Sequence, residues 1–310
     1  RWGVYRMSWG ILPITYESLF GKGADVVHFF NYIYPPKIKA KIITTIYDTS
    51  YIDAPETLRR RTKHLLDKNL ARSCEMADKV IVISEYTKAR IIELLNVDPN
   101  KIEIIYPGVD NNLYNTNTGA DEQKIVKERY GIAGEYYLYL GTIEPRKNIV
   151  RLVEAYADLY QKRKDCPKLV LAGSLGWLYN PILDTINSSV AKEKILLTGY
   201  IEDKDVPALI SGANAFVFPS IYEGFGMPPL EAMACGVPVI ASGTTALKEV
   251  ISGVGLEVNP YSVEEIENAL ERIVADTELR KTSVEKGIKK ALEFTWEKSA
   301  SKLLGVYDSI

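Results

Sequence analysis

Two acidic residues border a turn rich in glycine and proline in the stretch PSIYEGFGMPPLEAMACGVPVIAS, residues 219–242. Glu223 lies just before this turn and Glu231 just after it. A carboxylate repels phosphate but accepts two strong hydrogen bonds from neighbouring hydroxyl groups, such as those of a sugar. The pattern therefore predicts that one acid binds a hexose and the other a ribose. In the alternative interpretation, Glu231 only complements a helix dipole and Glu223 is an ordinary loop residue.

The residues between the two acids predict a short helix that faces an anion. Proline is tolerated in the first turn of a helix, so the helix is expected to begin at about Met227 or Pro228 and to end before Gly236. Its first N–H groups and its partial positive charge would bind a phosphate. Gly224 and Gly226 would let the ligand approach bare backbone.

A second motif, LGTIEPRKN, supplies positive charge at the end of a predicted strand. Arg146 and Lys147 stand directly before a helix that is predicted to start near Asn148. A guanidinium beside an ammonium can neutralise the diphosphate of a nucleotide. The two cations would then both bind the nucleotide and assist cleavage of the bond to its diphosphate. The alternative is an exposed pair of charges at a helix start. Gly173 and Tyr200 lie in turns after two further predicted strands and are suited to binding a base and a ribose.

The elements that must position these residues follow an alternating pattern. Short Val/Ile/Leu runs alternate with longer amphipathic stretches, which is typical of α/β proteins whose parallel sheet is covered on both faces. The second half predicts a full doubly wound domain with the strands YYLYLG, KLVLAG, ILLTG, AFVFPS, PVIAS and VGLEVN. The first half predicts a thinner sheet with the strands DVVHFF, KIITTIYD, KVIVIS and IEIIYP, and a long helix over about residues 57–77.

The boundary between the two halves is marked by composition. Residues 106–122 are rich in Asn, Thr and Gly and lack a hydrophobic period, so they predict an interdomain linker. We place the first domain at residues 1–115 and the second at residues 116–295. The amphipathic tail, residues 296–310, is expected to return to the first domain.

The composition disfavours several classes of protein. The 310 residues carry a formal net charge of −2, which disfavours a nucleic-acid binder. The 3 cysteines lack metal-ligand spacing, no apolar run is long enough to span a membrane, and the start has no signal-peptide pattern. These features predict a cytoplasmic protein. Arg59, Arg60, Arg61 and Lys63 form a solvated helix face or, alternatively, a weak contact with the anionic inner face of a membrane.

Together, GTIEPRKN and PSIYEGFGMPPLEAMACGVPVIAS closely resemble the retaining glycosyltransferases of family four. The first half resembles them more loosely in VVHFFNYIYPP, TTIYDTSYIDAPE, VIVISEYTKARI and IIYPGVD. The resemblance implies the GT-B fold, in which two Rossmann-like domains face a central cleft. It also implies a nucleotide-sugar donor carrying GDP or UDP, a glycan or lipid-linked glycan acceptor, and no metal or other cofactor. The implied catalytic residues are Arg146, Lys147, Glu223 and Asp48. The implied donor-binding residues are Gly141, Thr142, Gly173, Tyr200, Ile201, Gly224, Phe225, Gly226, Met227, Pro228, Leu230 and Glu231.

Two features depart from the family pattern. The family opens with a strand and a glycine-rich loop that this sequence lacks, so the first domain is expected to be incomplete. Tyr47 stands where the family often has a histidine, and a tyrosine donates a hydrogen bond but does not titrate near neutral pH. Tyr47 and Asn31 are assigned to the acceptor side, with a core role for Tyr47 as the alternative. His28 is interpreted as a residue of the core or cleft wall.

The sequence and the resemblance together predict a metal-independent hexosyltransferase that retains the configuration of the transferred sugar. No carboxylate is clearly placed as a covalent nucleophile, so a front-face reaction is expected, in which the leaving phosphate accepts the proton. The resemblance favours GDP-mannose or a related donor and a role in cell-surface polysaccharide assembly. The alternatives are a non-catalytic nucleotide-sugar binding module and a GT-B-type epimerase or phosphorylase. A dehydrogenase is disfavoured because the GxGxxG motif is absent.

Overall fold

The structure is a computed structural model that describes Tyr16 and residues 23–30, 38–58 and 60–310. The chain divides into two compact units, residues 1–106 with 299–310 and residues 107–298. Each unit contains a parallel sheet whose strands alternate with helices, which confirms the predicted α/β class. Within these described residues, every helix is too short or too polar to cross a lipid bilayer.

The first unit is built on a parallel sheet. Its described strands are β1 (Val26–Phe29), β2 (Lys41–Ile46), β3 (Lys79–Val82) and β4 (Ile102–Ile104). Its helices include α1 (Ser50–Asp53), α2 (Arg60–Met76) and α3 (Glu85–Leu95). The strands follow the order β1-β2-β3-β4 across the sheet. On one face, Ile46 and Val80 pack with Leu70 of α2 and Ile91 of α3, so apolar β-branched residues form both the strands and the core.

The second unit contains a larger parallel sheet. Its strands are β5 (Tyr136–Leu140), β6 (Lys168–Ala172), β7 (Ile195–Gly199), β8 (Ala215–Phe218), β9 (Val239–Ser242) and β10 (Leu256–Val258). Its helices are α4 (Ala120–Arg129), α5 (Ile149–Lys162), α6 (Asn180–Ser188), α7 (Val206–Ser211), α8 (Met227–Ala234), α9 (Leu247–Ile251), α10 (Val263–Ala275) and α11 (Thr277–Ala291). The final helix, α12, spans Trp296–Asp308, and its residues from 299 onward belong to the first unit.

The strand order of the second sheet, β10-β9-β8-β5-β6-β7, contains one reversal. From β5 the chain extends the sheet through β6 to β7, returns to β8 on the other side of β5, and continues to β9 and β10. In open parallel sheets, ligands bind outside the carboxyl ends of the two strands at such a reversal. The loops after β5 and β8 are therefore the region in which a binding site is expected.

The segment between the units differs from the predicted linker. Val109 forms a parallel bridge with Thr295, and its N–H donates to the Phe294 carbonyl at 3.0 Å. A Cβ atom on Gly108 would lie 2.1 Å from the Trp296 nitrogen, so only glycine fits there. This pairing holds residues 107–115 in the second unit, whereas the predicted boundary assigned them to the first.

The end of the predicted linker is also helical, because α4 begins at Ala120. Asp121 and Glu122 lie in its first turn, where negative charge complements the helix dipole. The sequence interpretation gave these two acids to the linker because the residues before them lack a hydrophobic period.

Candidate functional site

The loops after β5 and β8 are joined by backbone and side-chain hydrogen bonds. The β5 loop forms a single 3-10 turn, Pro145–Lys147, and Asn148 then adopts a left-handed conformation (φ 60°) before α5 begins. The Asn148 amide donates to the Pro219 carbonyl at 3.0 Å, and the Ile221 N–H donates to the Arg146 carbonyl at 2.9 Å. These bonds fix the charged residues of one loop against those of the other.

Four charged side chains meet where these loops join. Lys147 Nζ donates to Glu223 Oε1 at 2.6 Å, and Arg146 Nη1 donates to Glu223 Oε2 at 2.9 Å. Arg146 also donates from Nε (3.2 Å) and Nη2 (3.0 Å) to Glu144 Oε1, and from Nη1 to the Tyr222 carbonyl at 2.8 Å. We call Glu144, Arg146, Lys147 and Glu223 the four-charge cluster. The sequence interpretation identified three of its members but did not identify Glu144, which was visible only as an acid two positions before Arg146.

Burial and neighbouring charges shift the pKa values of the two acids of the cluster in opposite directions. Burial alone would raise the pKa of Glu223, but Lys147 and Arg146 outweigh it and hold this pKa below the ordinary value. For Glu144, burial dominates and raises the pKa in spite of Arg146 and Lys147. Glu223 therefore remains ionised between two cations, whereas Glu144 is the acid of the cluster that is closer to protonation.

The turn after β8 leads into α8, which begins at Met227 as predicted and is followed by Gly236 with a φ of 72°. Gly226 has a φ of 143°, and a Cβ atom there would lie 2.8 Å from Leu247 Cδ2, so its conformation and packing both require glycine. Pro228 and Pro229 have no N–H, and the Leu230 N–H donates to the Gly226 carbonyl at 3.2 Å. Backbone donors to an anion at this turn would therefore have to precede the prolines.

Glu231 lies half-buried on α8, and its carboxylate accepts no hydrogen bond from the part of the chain that the structure describes. Burial raises its pKa to about 7. A carboxyl group whose pKa is strongly shifted by burial is typical of functional sites. The position suits an acid that accepts hydrogen bonds from ligand hydroxyl groups.

Replacing Glu231 with glutamine is expected to raise the free energy of unfolding by about 3 kcal/mol near pH 8 and to leave it almost unchanged near pH 4. The folded protein holds this proton more tightly than the unfolded chain, because the pKa rises from 4.5 to about 7 on folding. The stability contributed by protonated Glu231 is therefore present below the ordinary glutamate pKa and is lost as pH rises through about 7. Urea denaturation at both pH values measures the difference, and an equal difference at both would contradict the raised pKa.

Other predicted donor-binding residues lie along the same carboxyl edge. Gly141 and Gly173 follow β5 and β6, and a Cβ atom on Gly173 would lie 2.0 Å from the Gly141 carbonyl oxygen, so the two loops pack backbone to backbone. Tyr200 follows β7, is exposed, and donates to Asp203 Oδ1 at 3.2 Å, while Ile201 is buried. The remaining predicted positions are the half-buried Met227 and Pro228, the buried Phe225 and Leu230, and Thr142, whose carbonyl accepts the Tyr139 hydroxyl at 2.9 Å.

The first unit contains the predicted acceptor-side residues, Tyr47 and Asn31, and the predicted catalytic residue Asp48. Tyr47 follows β2 and is 41% exposed. Asp48 Oδ1 accepts hydrogen bonds from the Ser50 N–H (3.0 Å) and hydroxyl (2.7 Å), and so stabilises the start of α1. Asn31 lies outside the described residues.

The remaining residues singled out in the first unit have local partners. His28 is hydrogen-bonded through Nε2 to the Thr45 hydroxyl and through Nδ1 to the Tyr307 hydroxyl, each at 2.8 Å, and burial lowers its pKa to about 4. In the basic stretch, Lys63 pairs with Asp67 at 2.7 Å. Arg59 and the side chains of Arg60 and Arg61 lie outside what the structure describes.

Family models of glycosyltransferases match both halves of the chain. Residues 122–290 match the family model of the glycosyl transferases group 1, and residues 4–113 match that of glycosyltransferase family 4. The O-antigen chain mannosyltransferase B of Escherichia coli is 31% identical over 283 residues, which cover 91% of this chain and 74% of that protein.

Solved structures that are similar in fold include sucrose-phosphate synthase and Anabaena Alr3699/HepE. Sucrose-phosphate synthase from Thermosynechococcus elongatus superposes with a TM-score of 0.79 at 24% identity, covering 95% of this chain and 75% of that one. Anabaena Alr3699/HepE, solved in complex with UDP and glucose, superposes with a TM-score of 0.74 at 21% identity, covering 88% of this chain and 72% of that one.

Proposed function

We propose that this chain, which belongs to the glycosyl transferases of group 1 and is a glycosyltransferase with the GT-B fold, transfers a mannose or related hexose. The donor is a nucleoside-diphosphate sugar, and the acceptor is a hydroxyl group of a glycan or lipid-linked glycan. The observation that carries the proposal is the four-charge cluster at the reversal of the second sheet. The 31% identity to a mannosyltransferase of O-antigen chains supports mannose and a polysaccharide acceptor. GDP is our first choice of nucleotide, and UDP is the alternative because Alr3699/HepE was solved with UDP.

In this proposal, the second unit binds the donor along its carboxyl edge. Arg146 and Lys147 neutralise the diphosphate, and the backbone of residues 224–227 donates hydrogen bonds to it. Glu223 orients these cations and the transferred sugar, and Glu231 accepts hydrogen bonds from the ribose hydroxyls. The base is assigned to Tyr200 and Ile201. In the first unit, Tyr47 and Asn31 are assigned to the acceptor, and Asp48 is assigned a catalytic role.

The reaction that fits this arrangement is a front-face transfer with retained configuration. The bond between the anomeric carbon and the phosphate oxygen breaks, the acceptor oxygen bonds to the same face of that carbon, and its proton passes to the leaving phosphate. Both oxygens of Glu223 are already held by Lys147 and Arg146, which disfavours it as a nucleophile. Proton NMR of the first product should show the anomeric configuration of the donor, and a trapped covalent bond between the sugar and Glu223 would contradict the front-face route.

No metal requirement is part of the proposal, because Arg146 and Lys147 supply the two positive charges that a diphosphate needs. Initial rates measured with a chelator and with added Mg²⁺ should be equal. A rate that appears only with the metal would contradict this point without affecting the assignment as a glycosyltransferase.

Calorimetric titration of the protein in the presence of chelator should show one nucleotide that binds tightly among GDP, UDP, ADP and dTDP. Replacing Glu231 with alanine is expected to weaken that binding by about 10-fold to 100-fold, since a charge-assisted hydrogen bond contributes about 1.5–3 kcal/mol. The matched control is Glu154→Ala, which removes an exposed glutamate from α5 of the same unit and should leave the affinity unchanged. Binding of none of the four nucleotides, or equal losses in the two variants, would contradict the proposed site.

A further inference from the structure

The four-charge cluster is electrically balanced before any donor binds. Its two cations, Arg146 and Lys147, face two carboxylates, Glu144 and Glu223, through contacts of 2.6–3.2 Å. The side chain of Glu144 is only 2% exposed, and Oε1 alone takes both hydrogen bonds from Arg146. The balance suits a protein without ligand, because uncompensated charge is costly to bury.

A nucleoside-diphosphate sugar would upset this balance. Its diphosphate carries two negative charges, so a cluster with two ionised carboxylates would become a buried group with net negative charge. Coulomb repulsion in such a place is much stronger than in water. Loss of charge on one carboxylate would reduce this net negative charge and so strengthen donor binding.

The contacts indicate which of the two carboxylates is able to take up a proton. Glu223 is bound by two cations, one through each oxygen, whereas the cation that the described residues place in direct contact with Glu144 is Arg146. If the diphosphate draws Arg146 toward itself, Glu144 is left buried without its partner. Tyr139 also interacts electrostatically with both acids, and burial keeps its pKa well above the ordinary range, so its hydroxyl stays neutral.

Building on the proposed donor site, we propose that Glu144 is a positioning residue that takes up a proton when the donor binds. In the free protein its carboxylate orients and balances Arg146. In the complex it becomes a neutral carboxylic acid, with a proton taken from solvent, and frees the Nε and Nη2 side of Arg146 for the diphosphate. Burial, which already raises the pKa of Glu144 in the free protein, makes this exchange easier.

This exchange gives donor binding a defined pH dependence. Proton uptake means that affinity is highest at low pH and falls by at most about tenfold per pH unit as pH rises from the pKa of free Glu144 to its higher pKa in the complex. Glu231 has the opposite effect on the pH dependence of donor affinity, because its ionised carboxylate binds ribose best. Donor binding would therefore release the proton of Glu231 at pH values near or below about 7. The contribution of Glu144 is therefore isolated by comparing proteins that all retain Glu231.

The test is calorimetric titration of GDP-mannose and UDP-glucose at neutral pH, in two buffers that differ in ionisation enthalpy. The phosphates of both probes are diesters that do not titrate near neutrality, so any proton exchanged belongs to the protein. Wild type is compared with Glu144→Gln, which keeps a hydrogen-bond acceptor for Arg146 but cannot ionise. Glu154→Gln is the control for a remote glutamate of the same unit.

We expect the wild type and Glu154→Gln to take up more protons per bound donor than Glu144→Gln, by a difference approaching one. We also expect Glu144→Gln to bind the donor with an affinity that no longer falls as pH rises. Equal proton uptake in all three proteins would overturn the inference and leave the proposed function intact. Binding of neither probe to the wild type would overturn the proposed donor site, and the inference with it.

A second readout does not depend on the folding of a variant. In infrared difference spectra of the wild type, donor binding should produce a new carboxylic-acid C=O band from Glu144, whereas deprotonation of Glu231 would produce a loss. Absence of the new band would overturn the inference.

Discussion

Replacement of Lys147 with methionine is expected to lower kcat/KM about 10³-fold, because it removes a positive charge from the place where negative charge develops on the leaving diphosphate. Methionine keeps much of the apolar stem and removes the ammonium, which lies over the Phe218 ring at 4.8 Å from its centre. The loss also leaves Glu223 with one of its two cationic partners, Arg146. Breaking a buried ion pair costs about 3 kcal/mol of unfolding free energy. Steady-state kinetics and urea denaturation of the same preparation separate the two effects.

The chain offers a matched control for this change. Lys162 donates to both oxygens of the buried Glu267, at 2.8 and 2.7 Å, and neither residue belongs to the candidate site. Lys162→Met likewise removes the cationic partner of a buried carboxylate, so it should destabilise the unit and leave kcat/KM within about twofold of wild type. If both variants lost activity to the same extent, the loss in Lys147→Met would reflect stability and not catalysis.

Replacement of Glu223 with glutamine should lower kcat about 10²-fold while nucleoside-diphosphate binding becomes tighter. The amide oxygen can accept a hydrogen bond from one cation, but the other meets an NH₂ group and is left unbalanced. The site then holds the diphosphate product more strongly and orients the sugar less well. These opposite changes distinguish the variant from a damaged protein, which would lose both properties.

Product release and turnover measured on Glu223→Gln test this expectation. The control is Glu267→Gln, which makes the same chemical change at a buried, lysine-paired glutamate outside the site. Weaker nucleotide binding in Glu223→Gln would contradict the charge argument. A similar fall in kcat in Glu267→Gln would show that the effect is not specific to the cluster.

Features set by local chemistry could be predicted from the sequence. The start of α8 at Met227 follows from the prolines after it, and its end follows from Gly236. The strands of both sheets are present where the apolar runs predicted them, although β2 ends at Ile46, so that Tyr47 and Asp48 lie in the loop that follows it.

Features set by contacts between distant segments could not be predicted. Glu144 meets Arg146 beside Glu223 only because β8 pairs with β5, and strand order has no local signal. The bridge between Val109 and Thr295 moves the boundary between the units for the same reason. The role of Gly226 was interpreted as an opening for a ligand, whereas the structure shows that Leu247 also occupies the space beside it.

The enclosure of the four-charge cluster has a consequence for the conditions under which the enzyme works. Dissolved ions screen exposed charges over about 8 Å at physiological ionic strength, but they screen buried pairs much less. The exposed pair of Lys63 and Asp67 should therefore weaken as salt is added, while the contacts of Lys147 and Arg146 with Glu223 persist. A site organised in this way stays assembled when the osmotic state of a cell changes.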